Sequence, residues 1–180
     1  MSIQDKYLKK LITDKTFVQI FADHYGEYYF GFIIELNNDF LLLEKYTSES
    51  YSDGITIFLR ENITRVRWNG NKIKSIHSLL ENQQPIFRKN KIDISSLNSI
   101  LKTASATYSY IGIHIQDLDS DVFFIGQIME IDDEFIVLNE FGTQVSLDRK
   151  TILLSLSDIT MVEVGGKYEE RIKQLMIKKN

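Results

Sequence analysis

Two stretches of this sequence decide its fold: residues 30–43 read FGFIIELNNDFLLL, and residues 125–138 read IGQIMEIDDEFIVL. When Gly31 is set over Gly126, 95 residues later, Gly, Ile, Glu and Phe recur at matching positions. Every other position but one keeps its apolar or polar character, the exception being Phe32 against Gln127. Agreement in the turn as well as in the apolar runs indicates an internal duplication.

The repeat extends on both sides of these stretches. Upstream, Val18 and Ile20 align with Ile113 and Ile115 without a gap. Downstream, residues 62–66 match 158–162 at a spacing of 96, which one inserted residue explains. A helical pattern precedes each copy: Ile3, Tyr7, Leu8, Leu11 and Ile12 after a capping Ser2, and Leu97, Ile100, Leu101 and Ala104.

The strand pattern predicts the architecture. After its helix, each copy has about five short apolar or alternating stretches, typical of β-strands. Gly31 and Gly126 lie inside such strands, where glycine marks a bend or a close backbone approach. Short, bent strands close best into a small barrel. We therefore predict a mainly β fold with helices, made of two tandem five-stranded barrels, each preceded by an α-helix.

These patterns also predict the domain boundaries. Residues 1–72 form the first helix and barrel, residues 73–91 form a connector, and residues 92–180 form the second helix and barrel with a C-terminal helix. The C-terminal helix is predicted from the spacing of Tyr168, Ile172, Leu175 and Met176. In the connector, Ile73, Ile76, Leu79 and Leu80 fit either a helical turn or a continued strand.

Composition excludes several classes of protein. The 180 residues include no cysteine, which rules out disulfides, thiol catalysis and thiolate zinc sites. The N-terminus lacks the apolar core of a signal peptide, and no stretch approaches the ~20 apolar residues that cross a bilayer. We expect a cytoplasmic protein without a membrane partner.

The order of a bent glycine strand, an acidic turn and an apolar strand resembles the Sm-like family, which includes the Lsm proteins and bacterial Hfq. The first Sm motif is similar to residues 31–40 and 126–138, and the second motif is similar to residues 58–63. The resemblance covers roughly residues 14–70 and 108–166. It implies small β-barrels that assemble through their edge strands, and an RNA-binding function.

The residues with which this family binds RNA are not retained. The Asn that holds a base corresponds to Leu41 and Ile136, which cannot hydrogen-bond a base edge. The Gly of the second motif is replaced by Glu61, and the Tyr-Lys-His triplet of Hfq is absent from both copies. The fold can persist while the function differs.

Charge and aromatic residues are unequally divided between the copies. Residues 1–91 contain 13 Lys and Arg against 11 Asp and Glu, whereas residues 92–180 contain 8 against 14. Aromatic and basic residues are enriched at binding surfaces. We predict a partner-binding set in the first copy: Tyr25, Tyr28, Tyr46, Tyr51, Arg65, Arg67 and Trp68. For several of these residues, covering the core or the helix is as good an interpretation as binding a partner.

Two functions follow from these observations. The leading hypothesis is a non-catalytic binding or assembly protein that contacts a protein partner or associates with itself through barrel edge strands. The alternative is an RNA-binding Sm-like protein that uses the first barrel and the basic connector. Its residues are Arg60, Arg65, Arg67, Arg88, Lys89 and Lys91.

No sequence motif indicates catalysis. Asp117, Asp119 and Asp121 are spaced like calcium ligands, but Val122 and Ile128 occupy the positions at which a calcium loop needs Gly and Glu. A solvated turn is the better interpretation. The three histidines have no second His or carboxylate at ligand spacing. We therefore predict no enzyme activity, no metal site and no cofactor.

Overall fold

The computed structural model describes residues 2–22, 28–81, 84–86, 92–119 and 121–178. Within these ranges the chain forms ten β-strands and four α-helices, so the predicted mainly β fold with helices is confirmed. The chain divides into two compact units, Met1–Lys89 and Asn90–Asn180.

The first unit is an antiparallel sheet with two helices. Its elements are α1 (Ile3–Thr13), β1 (Phe17–Ala22), β2 (Tyr29–Leu36), β3 (Phe40–Tyr46), β4 (Ser52–Leu59), β5 (Ile63–Arg67) and α2 (Asn71–Ser78). The strands lie in the order β5-β1-β2-β3-β4. The last strand of the unit therefore pairs with the first.

The second unit repeats this arrangement. Its elements are α3 (Leu97–Tyr108), β6 (Ile111–His114), β7 (Phe123–Ile131), β8 (Phe135–Glu140), β9 (Lys150–Ser155), β10 (Met161–Val164) and α4 (Lys167–Lys178). The strands lie in the order β10-β6-β7-β8-β9, which is the order of the first unit. The described strands form open sheets, so closure into barrels stays a prediction.

The strand registers correct one part of the sequence alignment. Val18 pairs with Gly31, whereas Ile111 pairs with Gly126, so Val18 corresponds to Ile111 and the predicted match to Ile113 is wrong. The pairing of the last strand of each unit gives the same correspondence. A shift of two residues is invisible in the apolar pattern, because it leaves every side chain on the same face of its strand.

The recurring glycines have a steric cause. A Cβ on Gly31 would collide with the carbonyl oxygen of Glu44 and lie 2.9 Å from the carbonyl carbon. A Cβ on Gly126 would meet the carbonyl group of Asn139 in the same way. Both glycines precede an irregularity at the same place in the pairing of their two strands. The predicted close backbone approach is thus present in both copies.

The acidic turns between the central strands also recur. The Asn37 side chain accepts hydrogen bonds from the amides of Asp39 and Phe40 at 2.9 and 2.7 Å. The Asp132 side chain accepts equivalent bonds from Glu134 and Phe135, and these amides lower the pKa of its carboxyl group. A side chain that caps its own turn in this way fixes the direction of the returning strand.

Each sheet packs an apolar cluster against the helix that follows its last strand. In the first unit this cluster contains Phe17, Phe30, Phe32, Tyr46, Ile73, Ile76 and Leu80. In the second unit it contains Tyr110, Ile125, Phe141, Ile172 and Met176. The start of the predicted connector is therefore a helix, α2, whose apolar face belongs to the first core.

The leading helix α1 begins with the predicted cap, since the Ser2 hydroxyl accepts a hydrogen bond from the Asp5 amide at 3.0 Å. Only Leu8 and Leu11 of its predicted apolar face are buried, while Ile3 and Tyr7 are exposed. The helix thus leaves an aromatic side chain near the end of the sheet.

Candidate functional site: a basic and aromatic surface around β5

Strand β5 positions the site. It pairs with β1 along one side and lies at the end of the first unit's strand order. Thr64, Arg65 and Arg67 are exposed, and Trp68 directly after the strand keeps 38% of its surface accessible. Since β5 pairs with no second strand that the structure describes, its outer edge offers free backbone donors and acceptors.

Two arginines of β5 stack on one buried aromatic ring. The Phe21 Cα pairs with that of Arg65 across the two strands, and the Arg65 guanidinium carbon lies 4.1 Å from the centre of the Phe21 ring. The Arg67 guanidinium carbon lies 4.7 Å from the same centre. Such cation–π contacts contribute about 0.5–1 kcal/mol each at exposed sites. They hold two positive charges side by side on one face of β5.

A third cation comes from the start of α2. The Lys72 ammonium lies 4.9 Å from the centre of the Tyr28 ring and donates a hydrogen bond to its hydroxyl at 3.2 Å. The Tyr28 ring in turn lies 5.7 Å from that of Phe21. Phe21, Tyr28, Arg67, Trp68 and Lys72 contribute to the wall of an open cleft of about 720 Å³.

The opposite face of β5 is more apolar. The rings of Trp68 and Tyr7 lie 5.9 Å apart. A smaller cleft of about 180 Å³ lies between β5 and α1, and Leu8, Thr64 and Val66 are among its lining residues. Side-chain alternation along β5 thus places Arg65 and Arg67 over Phe21 and turns Val66 the other way, while Trp68 lines both clefts and Arg65 also borders the smaller one.

The three cations have no acidic counterpart in the part of the chain that the structure describes. Arg65, Arg67 and Lys72 form no ion pair there, although Lys45 and Arg60 of the same unit do. No described Asp or Glu lines either cleft. The positive charge of this surface therefore has no partner among the described residues, although the whole chain has a net charge of −4.

The structure separates the predicted partner-binding residues. Tyr28, Arg65, Arg67 and Trp68 lie together at the surface just described. Tyr51 is exposed in the β3–β4 turn and lines neither cleft. Tyr46 is 5% exposed in the core, where its hydroxyl bonds to Glu44, and burial raises its pKa. Tyr46 as a surface contact is therefore wrong, because α2 covers the sheet there.

The RNA-binding alternative loses one of its described residues. The Arg60 guanidinium donates to the Asn37 carbonyl at 2.6 Å, to Gln4 at 3.1 Å and to the Asp5 carboxylate at 2.8 Å. The hydrogen bond from Arg60 lowers the pKa of Asp5. Arg60 joins α1 to the sheet and is not available to a phosphate. Tyr25, Arg88, Lys89 and Lys91 lie outside the described residues.

The described residues of the second unit form no equivalent surface. By strand register, Phe21 corresponds to His114, Arg65 to Met161 and Arg67 to Glu163. Met161, Glu163 and the following Val164 are buried. The His114 ring stacks on Phe123, with centres 4.2 Å apart, and its Nε2 lies 3.4 Å from the Glu163 carboxylate. The corresponding strand positions are therefore exposed and cationic in the first unit and buried in the second.

Phe21, Lys72 and Tyr7 belong to the site but were not predicted from sequence. Phe21 is 6% exposed and resembles a core residue, because only the pairing of β1 with β5 places it beneath two arginines. Lys72 could not be assigned to the site without knowing that a helix starts at Asn71. The sequence did indicate Tyr7, because it lies on the apolar face of α1. Leu8 and Leu11 are the residues of that face that are buried, and Tyr7 is left exposed.

Several other predictions can be placed on the structure. Leu41 and Ile136, at the positions where the resemblance expected a base-binding Asn, are both fully buried. The amide of Asp121 donates to the Asp119 carboxylate at 3.0 Å within the predicted acidic turn. The described residues contain no group of three or more His, Cys, Asp or Glu that could hold a metal ion. None of the described helices has the length and apolar character needed to span a membrane.

The two units thus share their strand order, their bent glycine strand and their capped turns, and they differ at the surface around β5. No protein family, curated protein or solved structure matches this chain.

Proposed function

We propose that this chain is a non-catalytic binding and assembly protein that acts through protein–protein contacts of two small Sm-like barrels. The surface around β5 supports this proposal most strongly. It combines an unpaired strand edge, on which another chain can be added, with exposed Arg and Trp side chains, which are prominent among the residues that dominate interface energies.

The comparison of the two copies supports a role for this surface beyond folding. The second unit builds the same strand order with Met161, Glu163 and Val164 at the corresponding positions. The scaffold therefore does not require exposed cations and an exposed indole there. Residues that fold does not demand, gathered at one edge, favour recognition of a partner.

The Sm-like barrel belongs to the same proposal. Two features favour it: the last strand of each unit pairs with the first, and a glycine allows the second strand to approach its neighbour closely. Self-association through edge strands is the assembly that the resemblance implies. Strands β5 and β9, which have only one hydrogen-bonded neighbour each among the described strands, supply the backbone groups for it.

RNA binding is the second candidate, because Arg65 and Arg67 lie near Trp68 and Tyr28. Aromatic rings beside cations suit stacked single-stranded bases. Against it, Arg60 is bound to Asp5 and the family's base-binding positions are buried. Residues 92–180 also have 14 acidic against 8 basic residues, which disfavours a nucleic-acid footprint.

Site-specific photo-crosslinking separates these functions. A photoreactive amino acid is placed at Thr64, which is exposed in β5, and in a matched control at Lys102, which is exposed in α3. We expect crosslinked products in cells from position 64 only, sensitive to protease but not to nuclease. Nuclease-sensitive products would support RNA binding instead. Equal products from both positions, or none from position 64, contradict the proposed function.

A further inference from the structure

We propose that β5 binds an extended segment of another protein in which acidic and apolar residues alternate, and that this segment is added as a further strand of the first unit's sheet. The inference rests on the proposed function and specifies the chemistry of the partner. It follows from the two faces of β5 and from their different chemistry.

Neighbouring side chains of β5 point to opposite faces. Arg65 and Arg67 lie over the Phe21 ring on one face. Val66 and Trp68 belong to the alternate set, and Trp68 contacts Tyr7 of α1. A strand added beside β5 would continue this division, because successive residues of any strand alternate between the same two faces.

The cationic face determines one half of the partner's pattern. Arg65 and Arg67 form no ion pair within the described residues, and Lys72 adds a third charge through its contact with Tyr28. Carboxylates at alternate positions of the added strand would lie beside these cations. Opposite charges on neighbouring strands stabilise the pairing, whereas like charges oppose it.

The apolar face determines the other half of the partner's residue pattern. Trp68, Tyr7 and Leu8 line the small cleft between β5 and α1. Apolar side chains at the intervening positions of the added strand would cover the exposed indole and the Tyr7 ring. Burying such aromatic surface is a main source of affinity at interfaces.

The free edge of β5 favours a polypeptide over RNA, since only a polypeptide backbone can continue the ladder of hydrogen bonds. Of the two end strands of the second unit, β10 has Glu163 between Val162 and Val164, but all three residues are buried. The strand at the far end of the second unit's order, β9, combines Lys150 with Ile152, Leu153 and Leu154 and has no acidic residue. A segment of a different protein is therefore the occupant that the charges favour.

A synthetic peptide tests the inference directly. The probe is a fluorescein-labelled peptide of alternating glutamate and valine, about eight residues long to match a typical strand. Two control peptides are used. The block peptide has the same composition, with its glutamates and valines in two separate blocks. The methylated peptide keeps the alternating sequence, but every second backbone amide is N-methylated and cannot donate a hydrogen bond. Binding to the full chain is measured by peptide anisotropy and by the emission of Trp68, the single tryptophan of the chain.

We expect the alternating peptide to bind with a blue shift of Trp68 emission and with affinity that weakens as salt is added. The double variant Arg65→Glu/Arg67→Glu should bind the alternating peptide at least about tenfold more weakly than the wild type does. The matched variant Lys9→Glu/Lys74→Glu changes the same charge on exposed helix positions of the same unit and should bind like the wild type. Circular dichroism confirms that both variants are folded.

Four results would overturn the inference. Two concern the control peptides: the block peptide or the methylated peptide binds as tightly as the alternating peptide. The other two are binding of a labelled single-stranded RNA at this surface in place of the peptide, and a Trp68 shift that accompanies self-association and a doubled solution mass. Each of these leaves the proposed function to be judged by the crosslinks at position 64. Protein crosslinks with no peptide selectivity would retain the function and reject the partner's pattern.

Discussion

The substitution Gly31→Ala tests the central geometric feature of the fold. The new methyl group would collide with the Glu44 carbonyl oxygen and lie 2.9 Å from its carbon, whereas carbon atoms pack best at about 3.5–4.0 Å. Strands β2 and β3 must therefore separate by roughly 1 Å. Overpacking of this kind costs about 1–3 kcal/mol, and each weakened backbone hydrogen bond adds about 1 kcal/mol.

We therefore expect Gly31→Ala to lower the free energy of unfolding of the first unit by about 3 kcal/mol. The measurement is urea unfolding followed by Trp68 fluorescence, which reports on the first unit alone. Gly70→Ala is the matched control, because the nearest atom to its Cβ lies 3.8 Å away. Gly70 is the N-cap of α2, so the control should cost no more than about 1 kcal/mol.

The reasoning would be refuted if Gly31→Ala unfolded at the same urea concentration as Gly70→Ala. The equivalent substitution Gly126→Ala provides a second check, since its methyl group would lie 2.9 Å from the Asn139 carbonyl carbon. Its unfolding is followed by far-UV circular dichroism, because the second unit contains no tryptophan. A loss in only one copy would mean that the two glycines do not serve the same geometry.

Two further predictions concern single hydrogen bonds. Arg60 holds the pKa of Asp5 below its usual value, so the stabilisation by this pair is present at neutral pH and is lost as the pH falls through the folded-state pKa. Asp5→Asn should thus destabilise the chain at neutral pH but not in acid, while Asp39→Asn should have no effect at either pH in thermal unfolding. Tyr110→Phe removes the hydroxyl that accepts a hydrogen bond from the Gly165 amide at 2.8 Å, and it should cost about 1–2 kcal/mol in urea unfolding followed by far-UV circular dichroism. The exposed Tyr168→Phe is its control, and equal stability of the two variants would contradict the role of this bond.

The repeated strand pattern was predictable because its causes are local. Glycine, alternating apolar residues and an acidic turn identify strands and their connections without knowledge of distant residues. The length of the first hairpin of each unit was not predictable. Val18 corresponds to Ile111, and the two-residue difference becomes visible only when each strand is paired with its neighbour.

The binding surface was only partly predictable for a similar reason. Tyr28, Arg65, Arg67 and Trp68 were identified as polar or aromatic residues in a strand-rich copy. Tyr46 looked the same in sequence, and the helix α2 that buries it begins 25 residues later. Whether an aromatic side chain is exposed depends on what packs over it, which neither spacing nor composition records.

The sequence by itself determined the duplication, the strand-rich class and the need for glycine at Gly31 and Gly126, since these follow from short-range patterns that recur in register. Tertiary structure alone decided which copy presents its last strand to solvent and which residues lie beside it. The contacts of Phe21 with Arg65 and Arg67, of Arg60 with Asp5 and of His114 with Glu163 all join residues more than 40 positions apart. Such contacts are set by strand register and by packing across the fold, so the function of the surface depends on interactions that no local pattern specifies.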